Sequence, residues 1–496
     1  MHDFGFLRFD VRKLKFLEPT EVPLKPEAAQ VGLDIRVVGN DSGEKLSILS
    51  GTIARLDRDA PHYSKSGYND FNTFYLQAAS GTKGGSSGSP VIDCKGNAIG
   101  LNAGSKTKSS AAFFLPLHRV VRALRLLQDS LEPITDSGLL APPIESFSIP
   151  RGTIQTTFVY KGFDEARRLG LSQEIEAEVR KVNACASNGG GATSGSFHGG
   201  GETGMLIVEG VVPKGQAFEK LQPGDVLFKL NGKITTRFLD VEALLDDSIG
   251  GRVGATVVRG GELLDVELQV GDLHAITPDS FLQVAGGVVH ALSYQQARNF
   301  LGECGLVYVS DPGFVLGRAC VPRHAIITSL NGVATPSIRE FCVVLESLKH
   351  GQRVPLEYFI FQERHRSETV VMQHDTKWYG SPRFWTRNDS TGLWDACSIR
   401  EKFGDEELDG GAKEEAPGSA GAGDAKMADA ETDAGAGKEA ADGGTAAVDG
   451  AAENGAPVRA GERIMEGVVP SLVVITRCGA GVPTAGVEQQ GDAGKG

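Results

Sequence analysis

The chain is 496 residues long, room for roughly three domains of about 150 residues each, and it is 40% hydrophobic and 23% charged. That balance is typical of a globular chain, and no run of about 18 apolar residues exists that could cross a membrane. The formal charge is −13, but residues 401–460 hold fifteen Asp/Glu against five Lys/Arg, so removing their −10 leaves −3 for the rest. The acidity therefore describes a tail, and the basic face that nucleic-acid binding needs is missing. Seven cysteines (Cys94, Cys185, Cys304, Cys320, Cys342, Cys397 and Cys478) are scattered, with no CxxC pair. Their pattern speaks against a disulfide framework or zinc site and for a reducing, intracellular compartment. Met1-His2-Asp3-Phe4-Gly5-Phe6 lacks the basic and apolar regions of a signal peptide.

Residues 1–116 read as short strands separated by turns: Asp34–Val38, Ser47–Ile53, Thr73–Gln77, and a hairpin in which Val91–Asp93 and Ala98–Leu101 flank Cys94-Lys95-Gly96-Asn97. Many short strands with few helices predict a barrel or sandwich. Leu117, Val120, Val121, Leu124, Leu127 and Leu131 then recur at helical spacing and predict a closing helix. Residues 133–150, with Pro133 and Pro142-Pro143, form a linker. A second unit spans 151–275, interrupted by a Gly/Ser-rich insertion at 188–201 that cannot fold alone. A third spans 276–397. The two units share a weak repeat: Asp225–Gly232 recurs as Ala325–Gly332, each a strand ending in Asn-Gly ahead of a helix-period segment. Residues 398–467 have the composition of a disordered acidic linker. The apolar run Val468–Ile475 after it reads as the start of a further domain.

Gly84-Gly85-Ser86-Ser87-Gly88-Ser89-Pro90 lies between two predicted strands. A nucleophilic serine needs its hydroxyl on a tight turn, and flanking glycines allow the backbone angles and the close approach this requires. The spacing sets the N–H groups of Gly85 and Ser87 on one side as an oxyanion hole. The competing reading is an ordinary Gly/Ser turn.

From Val38-Gly39-Asn40-Asp41 through Gly51-Thr52-Ile53, the serine turn and Phe113-Phe114-Leu115-Pro116, the chain resembles HtrA/Deg-type serine proteases. His2-Asp3-Phe4-Gly5, Leu56-Asp57-Arg58, Gly271–Pro278, Ser293–Arg298 and Trp378–Pro382 with Thr386–Asp389 match the tandem subgroup, the fungal Nma-type and plant Do-like proteases. The resemblance covers about 1–397 and faintly 468–475. It implies a mainly β fold with α elements: a partial chymotrypsin-like barrel over 1–132, PDZ-like modules over 151–275 and 276–397, and the start of a second protease-like domain at 468–496. It implies a serine endopeptidase acting in protein quality control on unfolded proteins or peptides, a homo-oligomer when complete, nuclear or plastid, with no cofactor.

Carried onto this sequence, the resemblance makes Ser87 the nucleophile, Asp3 the triad carboxylate and Gly85 and Ser87 the oxyanion donors. The triad histidine precedes the aspartate in this fold, and Asp3 is the third residue, so the polypeptide is expected to be a fragment that is inactive alone. His2 adjoins Asp3 and points the other way on a strand; His62 in a loop and His118 at the head of a helix are poor replacements. The alternative is a non-catalytic PDZ scaffold.

PDZ modules bind peptides by strand addition and hold the terminal carboxylate in a nest of N–H groups. By the resemblance the carboxylate loop maps to Arg151–Gln155, with Thr153, Ile154 and Gln155 as peptide-binding residues and Val241 and Leu245 lining the groove from the following helix. The latter pair could equally be core. The usual Leu-Gly pattern is missing, which favours strand addition over carboxylate capture. The third unit has Arg323-His324 where the second has Gly224-Asp225, and reads as a structural or degenerate PDZ. Trp378, Trp385 and Trp394 are expected to be buried anchors. Asp272, His274 and Asp279 are read as turn chemistry and not as metal ligands.

Overall fold

In the computed structural model, residues 4–7, 15–16, 20–40, 45–61, 68–79, 85–106, 111–130, 149–188, 204–404 and 471–474 are described. The first module contains strands β1 (Phe4–Leu7), β2 (Asp34–Gly39), β3 (Ser47–Asp59), β4 (Phe74–Ala78), β5 (Pro90–Asp93), β6 (Ala98–Lys106) and β7 (Ala111–Pro116), then helix α1 (Leu117–Ser130). Strands β2-β3-β4-β7-β6-β5 close into a six-stranded barrel. Period-two alternation accounts for the burial of all of β7. Phe114 points inward with Ile35, Val37, Ile53, Leu76 and Ile99. Phe113 and Leu115 point outward with Tyr75 and Leu101, under Leu117, Val120 and Ala123 of α1, and Phe4 joins this outer layer. The predicted helix at 117–131 and the 91–101 hairpin are both present.

The second module contains β8 (Gly152–Thr153), β9 (Thr156–Gly162), α2 (Phe163–Arg168), α3 (Gln173–Asn188), β10 (Gly204–Val211), β11 (Val226–Leu230), β12 (Lys233–Ile234), α4 (Phe238–Asp246), β13 (Arg252–Arg259), β14 (Glu262–Gln269) and β15 (Gly271–Asp272). Its sheet runs β14-β13-β11-β10-β9, while β8 pairs with β15 apart from it. The Gly224-Asp225 step has a visible cause. Gly224 takes φ +96°, and buried Asp225 accepts two 2.7 Å hydrogen bonds from the Arg259 guanidinium on β13. Nearly all of the Gly/Ser-rich insertion, residues 189–201, lies outside the described residues.

The third module contains β16 (Ser280–Val284), β17 (Gly287–Ala291), α5 (Tyr294–Phe300), β18 (Val307–Asp311), α6 (Val315–Arg318), β19 (Ala325–Leu330), β20 (Val333–Ala334), α7 (Ile338–Ser347), β21 (Arg353–Ile360), β22 (Glu368–Gln373), β23 (Arg383–Asn388), β24 (Leu393–Ser398) and α8 (Ile399–Phe403). The strand order is β22-β21-β19-β18-β17-β16-β23-β24, with β20 on β19. The repeat is present in three dimensions. Asn231-Gly232 and Asn331-Gly332 each take positive φ at both residues, 46° and 77° in one and 54° and 76° in the other. Such a pair joins two strands whose twist a primed turn matches, here β11–β12 and β19–β20. Where the second module has Gly-Asp, the third has His324 at φ +72°, its Nδ1 bonded to the Tyr308 hydroxyl. The linker expected from 398 onward instead starts as α8, fixed by a Ser398/Glu401 capping box. Ser471–Val474 forms β25, parallel to β1 with Phe4 opposite Ser471.

Candidate active site and peptide grooves

The serine turn leads into β5. Gly85 and Gly88 hold φ values of +99° and +82°, which side chains disfavour. The turn closes through Ser89 N–H donating to the Ser86 carbonyl at 3.1 Å. Asn102 on β6 anchors it from below. Its side-chain amide donates to the Ser86 carbonyl and hydroxyl oxygens, both at 2.9 Å. Its backbone carbonyl accepts from Gly88 N–H at 2.7 Å, and its own N–H donates to the Ser89 carbonyl at 2.9 Å. Ser86 is thereby buried, and Ser87, the next residue, is exposed. The turn also presses on β2, where a Cβ on Gly39 would lie 2.2 Å from the Ser89 hydroxyl oxygen. The sequence marks Asn102 only as a lone amide directly after the apolar run Ala98-Ile99-Gly100-Leu101.

Asp3, His2 and His62 lie outside the described residues. Asp3 directly precedes Phe4, the buried start of β1. His118 heads α1 and lines a cleft with Thr73, Phe74, Tyr160 and Phe238, of which Ser87 is not part. Burial, and then the charge of Arg237, push its imidazole down to about 4. The residues Asp272, His274 and Asp279 serve turns and strand ends. Asp272 accepts the His274 N–H at 2.9 Å, His274 Nε2 meets the Ile149 carbonyl at 2.9 Å, and the Asp279 carbonyl accepts from Arg387 N–H at 2.8 Å.

Thr153, Ile154, Gln155, Val241 and Leu245 come together, and all five are buried. Ile154, Val241 and Leu245 share one core cluster. At Gly152 an added Cβ would lie 2.0 Å from the Leu245 carbonyl oxygen, and Gly152 N–H donates to Asp246 Oδ1 at 2.9 Å. Helix α4 therefore lies directly on the loop, and the cavity left there measures about 20 Å³.

The space between β9 and α4 holds a segment of the barrel. Asn72, at φ +50°, donates to the Thr156 carbonyl at 3.0 Å and accepts from Phe158 N–H at 2.8 Å. Its side-chain amide thus takes up the edge groups that an added strand would use. Phe74 wedges edge-on between Tyr160 and Phe238, at centroid distances of 5.3 and 4.8 Å. The third module grips the same segment, with Arg298 donating to the Asn69 carbonyl at 2.7 Å and lying 4.2 Å over the Phe71 ring.

A buried ion cluster closes this junction. Arg119 of α1 reaches Asp70 at 3.2 Å and Glu242 of α4 at 2.6 Å, and Arg151 bonds the other Glu242 oxygen. Burial opposes the charge on Arg119, but Glu242 and Asp70 outweigh it and hold the guanidinium above its usual range. Asp246 is pushed up to about 7, by burial first and the Glu242 charge second.

In the third module, β23 adds antiparallel to β16, with Ser280 opposite Thr386 and Leu282 opposite Phe384. The strand that corresponds to β9 is β17, beside β18 as β9 is beside β10, and its outer edge is covered by β16, which the β23–β24 hairpin extends. Of the three tryptophans expected as buried anchors, Trp385 is half-buried and donates to Gln283 Oε1 at 3.1 Å, whereas Trp378 is 84% exposed and Trp394 45% exposed. The hairpin's burial comes from Phe384 instead, because β23 turns that residue toward the core.

A barrel that presents an exposed serine on a glycine turn, followed by two sheets with a helix across each, has the make-up of a trypsin-like peptidase carrying PDZ-like modules. Family models agree: a trypsin-like peptidase domain matches residues 1–101, and a PDZ-like domain matches residues 275–351. Protease Do-like 7 of Arabidopsis thaliana is 56% identical over 397 residues, 80% of this chain and 34% of that protein. Pro-apoptotic serine protease NMA111 of Coccidioides immitis (strain RS) is 45% identical over 402 residues, 81% of this chain and 36% of that protein. Over these residues the chain is similar to serine proteases of the HtrA/Deg type. It spans about a third of the length of the curated relatives it matches. Among solved structures, HtrA-type protease AlgW with decapeptide aligns at 19% identity and a TM-score of 0.31, over 51% of this chain and 64% of that one. No helix among the described residues is long and apolar enough to cross a membrane.

Proposed function

We propose that these residues form part of a serine endopeptidase that cleaves unfolded or damaged proteins through an acyl-enzyme. The observation that carries this reading is the exposed Ser87 on a turn pinned by Asn102. Ser87 Oγ attacks the scissile carbonyl and passes its proton to a histidine base. The base later returns that proton to the leaving amine, and water then releases the acyl group. The N–H groups of Gly85 and Ser87 receive the oxyanion, and Asp3 orients the imidazole. No histidine among the described residues bonds Ser87, so the base comes from outside them. The scattered free cysteines Cys94, Cys304, Cys320, Cys342 and Cys397 suit a reducing intracellular compartment. The complete protein is proposed to act as a homo-oligomer.

A test is fluorophosphonate labelling and casein cleavage. The 496-residue polypeptide by itself is expected to react no faster than its Ser87→Ala variant. Reactivity should appear when a barrel segment carrying a triad histidine is supplied by fusion, and Ser87→Ala should abolish it. Labelling of the fused form that persists in Ser87→Ala would overturn the assignment. The scaffold reading is disfavoured because the edges of β9 and of its counterpart β17 are both occupied by this chain's own residues.

A further inference from the structure

The edges of β9 and β17 are filled, but the opposite end of the third module's sheet is open. Strand β22 is terminal in the strand order, and its outer edge has no strand partner among the described residues. Helix α6 packs beside it and leaves a cavity of about 280 Å³ lined by Phe314, Arg318, Arg353, Val371, Gln373 and Asp375 among others. Val371 is 64% exposed there, so the strand offers both open backbone groups and an apolar contact.

The charge in this groove is unbalanced. Arg318 lies 5.4 Å over the Phe314 ring, within cation–π range, and both residues line the cavity. Neither Arg318 nor Arg353 makes an ion pair with a carboxylate among the described residues. The acid in the lining is already engaged, since Asp375 Oδ1 accepts from Lys377 N–H at 2.9 Å and Trp378 N–H at 3.4 Å and faces His350 Nδ1 at 3.7 Å. Two guanidinium groups in a concave site suit a carboxylate, which accepts planar, charge-assisted bonds from each.

We propose that the α6–β22 groove binds an extended acidic peptide segment, added as a strand to β22 with one Asp or Glu carboxylate between Arg318 and Arg353. This is a recognition site separate from the two PDZ-type edges and from Ser87, and it does not depend on the proteolytic reading. Strand addition supplies affinity that is indifferent to sequence, while the carboxylate supplies selectivity.

The experiment uses the full chain and fluorescein-labelled ten-residue peptides that alternate Glu with Thr, Gln with Thr, or Lys with Thr. Anisotropy titrations should show the Glu peptide binding at least about tenfold more tightly than the Gln peptide, and the Lys peptide not binding. Affinity should weaken between about 20 and 150 mM salt. The double variant Arg318→Glu/Arg353→Glu should lose at least about tenfold. Both side chains are exposed, so its melting temperature should match the parent; Arg318→Gln/Arg353→Gln repeats the measurement without the charge reversal. Hydrogen exchange should show new protection at β22 on binding. Equal binding of the Gln peptide, an unaffected double variant, or protection at β14 or β24 in place of β22 would each overturn the proposal.

Discussion

Asn102 gives both hydrogens of its side-chain amide to one residue, Ser86, with the carbonyl and the hydroxyl oxygen each at 2.9 Å. The exposed Ser87 is therefore positioned by its buried neighbour, and the neighbour by an amide sixteen positions downstream. In a proteolytically competent form, Asn102→Ala should lower kcat about tenfold to a hundredfold with little change in KM, because misplacing a reacting group is a transition-state loss. Asn102→Asp should be worse, since it sets a carboxylate oxygen against two oxygens of Ser86. Single-turnover acylation rates measure this, and an unchanged rate in both variants would remove Asn102 from the machinery.

Phe74 is an internal occupant of the β9–α4 space. Phe74→Ala should destabilise by about 2–3 kcal/mol, less than the roughly 3–5 of a fully enclosed phenylalanine because the ring is only half-buried. It should also open a groove for external peptide. Denaturant melts follow the first effect and calorimetry with an apolar peptide follows the second. Peptide binding no better than in the parent would show that Asn72 alone keeps the edge closed.

Glu242 stands between two buried guanidinium groups, Arg119 and Arg151. Glu242→Gln leaves both cations without their shared anion, at a cost of about 3–5 kcal/mol. Urea unfolding should show an earlier midpoint at unchanged slope. A loss below about 1 kcal/mol would mean that Asp70 suffices for the cluster.

Asp246 makes the junction pH-sensitive. Its carboxyl titrates near 7 when folded, against about 3.9 in an unfolded chain. Between those values the folded state binds more proton, so this group's contribution to stability falls as pH rises from 4 to 7 and its penalty is complete above 7. The effect is of the order of a few kcal/mol. Asp246→Asn keeps an acceptor for Gly152 N–H and cannot ionise. It should gain stability over the parent at pH 8 and lose most of that advantage by pH 4, as read from melting curves at the two values.

What the sequence made legible was local. The stripe from Leu117 to Leu127 predicts α1, the Asn-Gly pairs predict two strand-ending turns, and the glycines around Ser87 predict its turn, since each is decided by neighbours within a few residues. The pairing of Asn72 with Thr156 and Phe158 spans 84 and 86 positions, and Arg119 meets Glu242 across 123. No periodicity encodes such partners. The groove residues illustrate the same limit. The family resemblance groups Thr153, Ile154, Gln155, Val241 and Leu245, but whether α4 stands off from the loop or lies on it depends on the bare Cα of Gly152. The tryptophans misled for a related reason: on β23 the alternation buries Phe384 and leaves Trp385 on the other face, while Trp378 precedes the strand altogether.

The hairpin that begins at Arg383 has a meaning for shortened versions of this polypeptide. A product ending before it, through an early stop codon, alternative splicing or a nick near Gly380, would strip β16 of its companion and bare a row of unsatisfied amides beside Phe281 and Leu282. Such a remnant would tend to stick to copies of itself and precipitate, so residues 383–404 act as a safeguard for solubility as much as for architecture.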